Sequence, residues 1–246
     1  MTISDTARGG AAMPPIAASQ IDEHSIAELR ELMSRYPEAR SALIPMLHLV
    51  HSVDGYVSDT GVQVCAELLG ITSAEVLEVA TFYTMFKRRP AGKHHIAVCR
   101  SALCAVLGGD IIWDEIQKKL AIADGETTPN GMFSLEGMQC AAACDFAPVV
   151  SVDWEFMDNM SVQQVTMLLD MLDAGQQVYP TRGAMLTGFR AAHRVLAGFP
   201  DEFADAGASA GEASMRGVRT AAINGWTTSA APLQPSVGSQ QLGVLR

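Results

Sequence analysis

Four cysteines set the terms on which this chain can fold. They stand in two close pairs, Cys99-Arg-Ser-Ala-Leu-Cys104 and Cys140-Ala-Ala-Ala-Cys144, with 35 residues between Cys104 and Cys140. A fifth, Cys65, stands apart, and an odd count is a poor disulfide framework. Each pair lies where a strand or turn gives way to a loop. The fold therefore has to bring two such loops to one end of a sheet. Four thiolates suit a [2Fe–2S] cluster and equally suit a structural zinc. The loops hold Ser101, Ala102 and Ala141 to Ala143, whose small side chains let backbone N–H groups approach cluster sulfurs. Zinc knuckles more often use two-residue spacers, and thiol–disulfide enzymes more often carry C-x-x-C. Spacing thus favours iron–sulfur, with zinc second and a redox disulfide third. Cys65 shares a helix face with Val62, Leu68 and Leu69 and reads as a packed core thiol.

The periodicity around the cysteines predicts where that sheet sits. Ser25 with Glu28 fits a capping box, followed by Ile26, Leu29, Met33 and Tyr36 at helical spacing. A second helix is expected over 41–51, with Pro45 tolerable in its first turn and Asp54-Gly55 as its stop. A third runs from Ser58 or Asp59 to Gly70, and a fourth starts at Thr72 with Glu75 completing a cap. Beyond Lys87-Arg88-Arg89-Pro90, a basic connector, the pattern changes to a strand over 95–99 and a helix over 104–120. A strand over 132–135, a hairpin over 148–156 and an amphipathic helix over 161–172 follow. The order β-α-β-β-β-α predicts a compact α/β sandwich. Four domains are expected: a disordered stretch 1–20, a helical bundle 21–88, the cysteine-bearing sandwich 89–180 and an irregular tail 181–246. From Asp201 to Arg246, Ala, Gly and Ser supply 20 of 46 residues, which leaves the tail too little bulk for a core of its own.

Charge and hydropathy exclude some partners. With 17 Lys+Arg against 27 Asp+Glu, the net charge is −10, which disfavours nucleic acid and anionic membranes. The longest apolar run, Ala42 to Val50, is too short to cross a bilayer. Residues 1–20 hold one arginine, Arg8, and no apolar segment, so no signal peptide is expected. The reading is a soluble cytoplasmic protein without direct membrane insertion. His94 and His95 are read as surface or packing residues, because four cysteines complete a ligand shell. Asp110 and Asp145 are the carboxylates nearest the candidate ligands in sequence, and either would lower a cluster's potential if close in space.

Further stretches carry a family resemblance. They are Tyr36-Pro37 with Arg40 to Pro45, Asp54 to Val57, Glu75-Val76, and Val79 to Phe86. The two cysteine pairs with Asp145 and Ala147-Pro148, and Pro180-Thr181-Arg182-Gly183, complete the set. Over roughly residues 25–200 the chain resembles the NuoE-type subunits of respiratory complex I, the NADH:quinone oxidoreductase. The resemblance implies an α+β or α/β fold, a thioredoxin-like [2Fe–2S] ferredoxin domain behind a small helical bundle. It makes Cys99, Cys104, Cys140 and Cys144 the cluster ligands. It implies an electron-transfer subunit with no catalytic residue or substrate site of its own, exchanging one electron with the FMN of an adjacent NADH-oxidising flavoprotein. That flavoprotein and a neighbouring iron–sulfur subunit are the implied partners, in the peripheral arm of a membrane-bound complex on the cytoplasmic face. The equivalent subunit of an NAD-linked hydrogenase or formate dehydrogenase is the alternative, and a zinc-stabilised structural adaptor the third reading. The low-complexity tail departs from the family's usual pattern.

Overall fold

The computed structural model of the chain describes residues 18–204, 206, 207 and 212–226. The chain divides into a unit up to Ser209 and a unit from Ala210. The first unit opens with helices α1 (Glu23–Ser34), α2 (Leu43–Asp54), α3 (Asp59–Leu69) and α4 (Ser73–Phe82). They begin where a side-chain oxygen meets free backbone amides. Ser58 Oγ accepts from Gly61 N–H, and Thr72 and Glu75 form the expected reciprocal cap. At α1 the cap is not the predicted Ser25. Asp22 Oδ1 accepts from both the backbone N–H and the hydroxyl of Ser25, each at 2.8 Å. A carboxylate at this position complements the helix dipole as well as the free amides. Glu28, freed from the cap, pairs with Arg194. Pro45 is the third residue of α2, inside the first turn, where no intrahelical donor is lost. The four helices enclose a core of Leu29, Leu32, Met46, Leu47, Leu49, Val50, Val62, Cys65 and Val76.

The sandwich follows in the predicted order. Strands β1 (His94–Cys99), β2 (Phe133–Met138), β3 (Val150–Val152) and β4 (Glu155–Met157) form one sheet in the order β2-β1-β3-β4. β1 runs parallel to β2 and antiparallel to β3, and β3 and β4 form a hairpin. The hairpin turns on Asp153 and Trp154, with φ of 53° and 74°, a two-residue turn that matches strand twist. Asp153 steadies it by accepting from His95 N–H at 2.8 Å and pairing with His94 Nδ1 at 2.7 Å. Helices α5 (Asp110–Leu120) and α6 (Val162–Asp173) supply Ile112, Trp113, Ile116, Val165, Leu168, Leu169 and Leu172 to the core shared with Ile96, Val98, Leu135, Val150 and Val152.

Side chains alternate across a strand, so His95, Ala97 and Cys99 face away from that core, and all six residues of β1 are buried. His95 meets a second layer, and the chain supplies it from an unexpected place. Within the predicted irregular tail, helix α7 (Phe189–Leu196) forms and buries Phe189 and His193 completely. Its apolar face has only these two anchors one turn apart, so its pattern is too short to stand out from the Ala-rich sequence around it. The His193 ring stacks on His51 of α2, centroids 3.7 Å apart, and His193 Nδ1 lies 2.8 Å from His48 Nδ1. Phe189 stacks on His95 at 4.7 Å, and Trp154 closes the layer 5.1 Å from His95.

Of the expected disordered N-terminus, residues 1–17 lie outside the described residues. Ser19 and Gln20 are bonded: the Ser19 hydroxyl and the Gln20 N–H donate to Asp54 at 2.8 and 2.6 Å. In the second unit, helix α8 (Glu212–Ile223) is the described element, again where an irregular tail was expected, and residues 227–246 lie outside the described residues. Among the described residues, no helix is long and apolar enough to cross a membrane.

Candidate metal centre

The end of β1 delivers the first pair of cysteines. Cys99 is its last residue, fixed by its own N–H to Val149 O at 3.1 Å and by the next residue's N–H to Met138 O at 3.1 Å. One helical turn, Ala102–Cys104, then carries Cys104. The expected helix over 104–120 is not continuous. A widened turn over Ala105–Gly109, with Gly108 at φ 110°, separates Cys104 from α5. Gly109 packs directly beneath the loop: a Cβ there would lie 2.8 Å from Cys104 O and 3.0 Å from Cys99 O. Its φ of −57° suits any residue, so the constraint is space alone. Gly109→Ala is expected to push the loop outward, costing about 2 kcal/mol and lowering iron content several-fold in protein purified without air. Thermal melting and the iron-to-protein ratio are the measurements, and an unchanged ratio would show that the loop relaxes freely.

The second pair lies in the loop after β2, and the turn Cys144–Phe146 closes it. Cys140 Sγ and Cys144 Sγ are 3.8 Å apart. Metal–thiolate bonds of about 2.3 Å at a tetrahedral angle put two sulfurs at that separation. Cys99 and Cys104 are buried together in one apolar cluster. The two cysteine loops thus meet: Ala143 and Val149 are buried with Cys99 and Cys104, and Ala141 packs against them. Among the described residues, no three His, Cys, Asp or Glu side chains converge as for a single ion. The thiols stand as two pairs on two loops that meet at one end of the sheet. The pairs differ: Cys99 and Cys104 are 2 % exposed, whereas Cys140 and Cys144 are open to solvent.

The electrostatics follow from this setting. Burial pushes the Cys99 thiol up, but the N–H groups of Ser101 and Ala141 and the Cys104 thiol outweigh it and hold it below its ordinary value. Burial drives Cys104 up to about 11, against the opposing N–H of Val149. Cys144 is raised by its bond to Cys140 and then by the charge of Cys140, with Asp145 acting in the same direction. Ala142 N–H lies 3.3 Å from Cys140 Sγ. Backbone N–H groups thus reach Cys99, Cys104 and Cys140, and Ala141 and Ala142 are among the small residues that permit the approach. Such donors stabilise charge on sulfur, and bound metal ions would relieve the mutual repulsion of four thiolates.

The other singled-out residues fall into place around this site. Asp110 is paired with Arg100, Nε to Oδ1 at 3.2 Å, so its charge is offset, while Asp145 acts directly on Cys144. His94 and His95 are buried on Asp153 and Glu136 and take no part in the sulfur group. Lys87 pairs with Glu136 at 2.6 Å and lies 5.7 Å from the Trp154 ring centroid, so it braces the fold. Cys65 is buried in the helical core, and burial raises its thiol to about 12. Sequence reasoning assigned no role to Gly109, Phe146 or Arg182; the Pro180-Thr181-Arg182-Gly183 stretch was visible, but its contacts were not.

Comparison with known proteins bears on the same region. Residues 29–173 match the family model described as thioredoxin-like [2Fe-2S] ferredoxin. Over 198 residues, 80 % of this chain, it is 46 % identical to an NADH-quinone oxidoreductase subunit of Mycobacterium tuberculosis, covering 79 % of that protein. Over 153 residues, 61 % of this chain, it is 33 % identical to an NADH-quinone oxidoreductase subunit of Thermus thermophilus, covering 84 % of it. Among solved structures, an NAD+-reducing [NiFe]-hydrogenase in the air-oxidized state superposes with a TM-score of 0.50 at 18 % identity. It covers 54 % of this chain and 23 % of the hydrogenase chain, a likeness of fold. With paired thiols at the strand ends of an α/β sandwich and the family model matching across it, this chain belongs to the thioredoxin-like [2Fe-2S] ferredoxin family.

Proposed function

We propose that this chain is an electron-transfer subunit of an NADH-quinone oxidoreductase, holding a [2Fe–2S] cluster on Cys99, Cys104, Cys140 and Cys144. The observation that carries the reading is the meeting of two sequence-distant cysteine loops at one end of the sheet, with Cys99 and Cys104 buried against Ala143 and the Cys140 and Cys144 sulfurs 3.8 Å apart. The cluster supplies storage of a single electron. The protein's part is to hold the sulfurs, exclude water from the Cys99 and Cys104 side, and leave the Cys140 and Cys144 side open. No bond to a side chain need form or break.

The partner in this reading is a flavoprotein that oxidises NADH on its FMN, in a multi-subunit complex whose peripheral arm lies on the cytoplasmic side of the membrane. A neighbouring iron–sulfur subunit is the second partner. Support comes from the names carried by the relatives and from the surface beside the first pair. There Leu103, Val106, Leu107 and Ile111 are exposed, more apolar side chain than a free surface usually gathers around one loop. The division near residue 88 between bundle and cluster domain belongs to this proposal, with α7 joining the bundle.

Metal analysis of the complex purified without air tests it. Iron and acid-labile sulfide at about two each per chain, with an EPR signal on reduction, are expected. A colourless protein with stoichiometric zinc would replace this reading with a structural adaptor.

A further inference from the structure

Residues 180–183 lie beyond the last strand and helix of the sandwich, yet they return to it. Thr181 N–H donates to Phe156 O at 2.9 Å, and Arg182 pairs with Phe156 as an antiparallel bridge. The segment thus covers the free edge of β4. Gly183 then leaves with φ 103°, at a place where a Cβ would meet Glu155 Oε2 at 2.6 Å.

The Arg182 side chain reaches from this edge to two rings beside the cysteine loops. Its guanidinium carbon lies 4.4 Å from the centroid of Phe156 and 5.3 Å from that of Phe146. Phe156 packs against the buried wall of Cys99, Cys104, Ala143 and Val149. Phe146 ends the turn that begins at Cys144. The fork is held in plane: Nε and Nη2 donate to the two oxygens of Asp158, each at 2.9 Å. Asp158 is itself buried and accepts from the Thr181 hydroxyl at 2.8 Å. The Cys144 turn has few other backbone ties: Phe146 N–H to Ala143 O and Ala147 N–H to Cys144 O within it, and Asn159 N–H to Phe146 O at 2.8 Å from outside.

We propose that Arg182 is a positioning residue for the cluster, bolting the exposed Cys144 turn to β4 through Phe146 and so fixing it against the buried Cys99 and Cys104 pair. The inference rests on the ligand assignment proposed above. The Arg182 charge is matched by Asp158, so its contribution is shape. A planar fork can engage a carboxylate edge-on while its faces cover aromatic rings, which a lysine ammonium cannot do. Groups that hold a ligand in place affect metal retention even though they never touch the metal.

The test uses holo-protein purified without air, as wild type, Arg182→Ala, Arg182→Lys, Phe146→Leu and the Arg182→Ala/Phe146→Leu double variant. The readouts are the rate of cluster release to an iron chelator and the EPR line width of the reduced protein. Arg182→Ala and Arg182→Lys are both expected to release the cluster about ten-fold faster and to broaden the lines. Because both residues act through one contact, the double variant should be no faster than the quicker single variant. Wild-type behaviour in Arg182→Ala, restoration by Arg182→Lys, or additive rates in the double variant would each overturn the proposal. Should Arg182→Ala not fold, Phe146→Leu leaves the Arg182–Asp158 pair intact and must itself speed release, or the proposal fails. A wild-type protein lacking iron and sulfide would overturn the ligand assignment, whereas a loaded wild type indifferent to these variants overturns only the role of Arg182.

Discussion

Acidification from pH 7.5 to 5.5 is expected to remove about 4 kcal/mol of folding stability, at about 1.4 kcal/mol per pH unit below 6.5 for each of three rings. The rings are His48, His51 and His193, enclosed between α2 and α7. Burial lowers His48 to about 4 and His51 to about 3, and lowers His193 further, with the charges of His51 and His48 acting in the same direction. In the unfolded chain these rings take up protons near 6.5. In the folded chain they stay neutral well below that. The unfolded state therefore binds more protons between about 4 and 6.5, so the stabilisation is complete above pH 6.5 and is lost as the pH falls. The neighbouring charges do not offset this. Lys87 opposes protonation of His51 and His193, and His95, lowered by burial despite its bond to Glu136, adds to the loss in the same direction. Carboxylates add their loss lower: Glu136, bonded to His95 and Lys87, is held near 2, so its contribution goes only as the pH drops below 4.5.

The measurement is urea unfolding at both pH values, followed by tryptophan fluorescence, for wild type and His51→Phe. Both ring nitrogens of His51 are buried without a partner, so phenylalanine removes no hydrogen bond and one titrating site. The variant should show a pH slope smaller by one proton and gain about 1.4 kcal/mol over wild type at pH 5.5 relative to pH 7.5. Equal midpoints for wild type at the two pH values would show that water enters the layer and that the rings titrate normally.

The second large effect separates five cysteines into four and one. Cys140→Ala is expected to abolish cluster binding, because it leaves one iron short of a thiolate in the proposed ligand set. Cys104→Ala should do the same from the buried side. Cys65→Ala should keep full iron and sulfide content, at a cost of about 1 kcal/mol for a small cavity in the helical core. Iron, sulfide and the visible spectrum of air-free protein decide the matter. Cluster loss in Cys65→Ala equal to that in Cys140→Ala would mean that the ligand set is incomplete.

Local chemistry makes much of this legible in the sequence. The caps at Ser58 and Thr72, the stop at Gly55 and the strand that ends at Cys99 are properties of neighbouring residues, and the structure reproduces them. The cysteine loops were legible because small residues between ligands have a direct consequence, access for backbone N–H groups. What escaped depends on distance along the chain. The seam of rings joins His48 and His51 to Phe189, His193, His95 and Trp154, from separate parts of the sequence. A histidine is read as polar, so nothing local announces its burial. The break at Gly108 was missed because the apolar spacing on either side of it still reads as helical. The role of Arg182 needs Phe146, Phe156 and Asp158 brought to it by the sheet.

Helix α7 also imposes an order of events on synthesis. The helices of the bundle leave the ribosome first, but the element that covers His48 and His51 is made only after the whole sandwich has emerged. During translation α2 must carry an uncovered apolar flank while the residues of both cysteine loops are produced. The bundle can close only when Phe189 and His193 arrive, so its completion follows, and never precedes, the availability of all four thiols for cluster insertion.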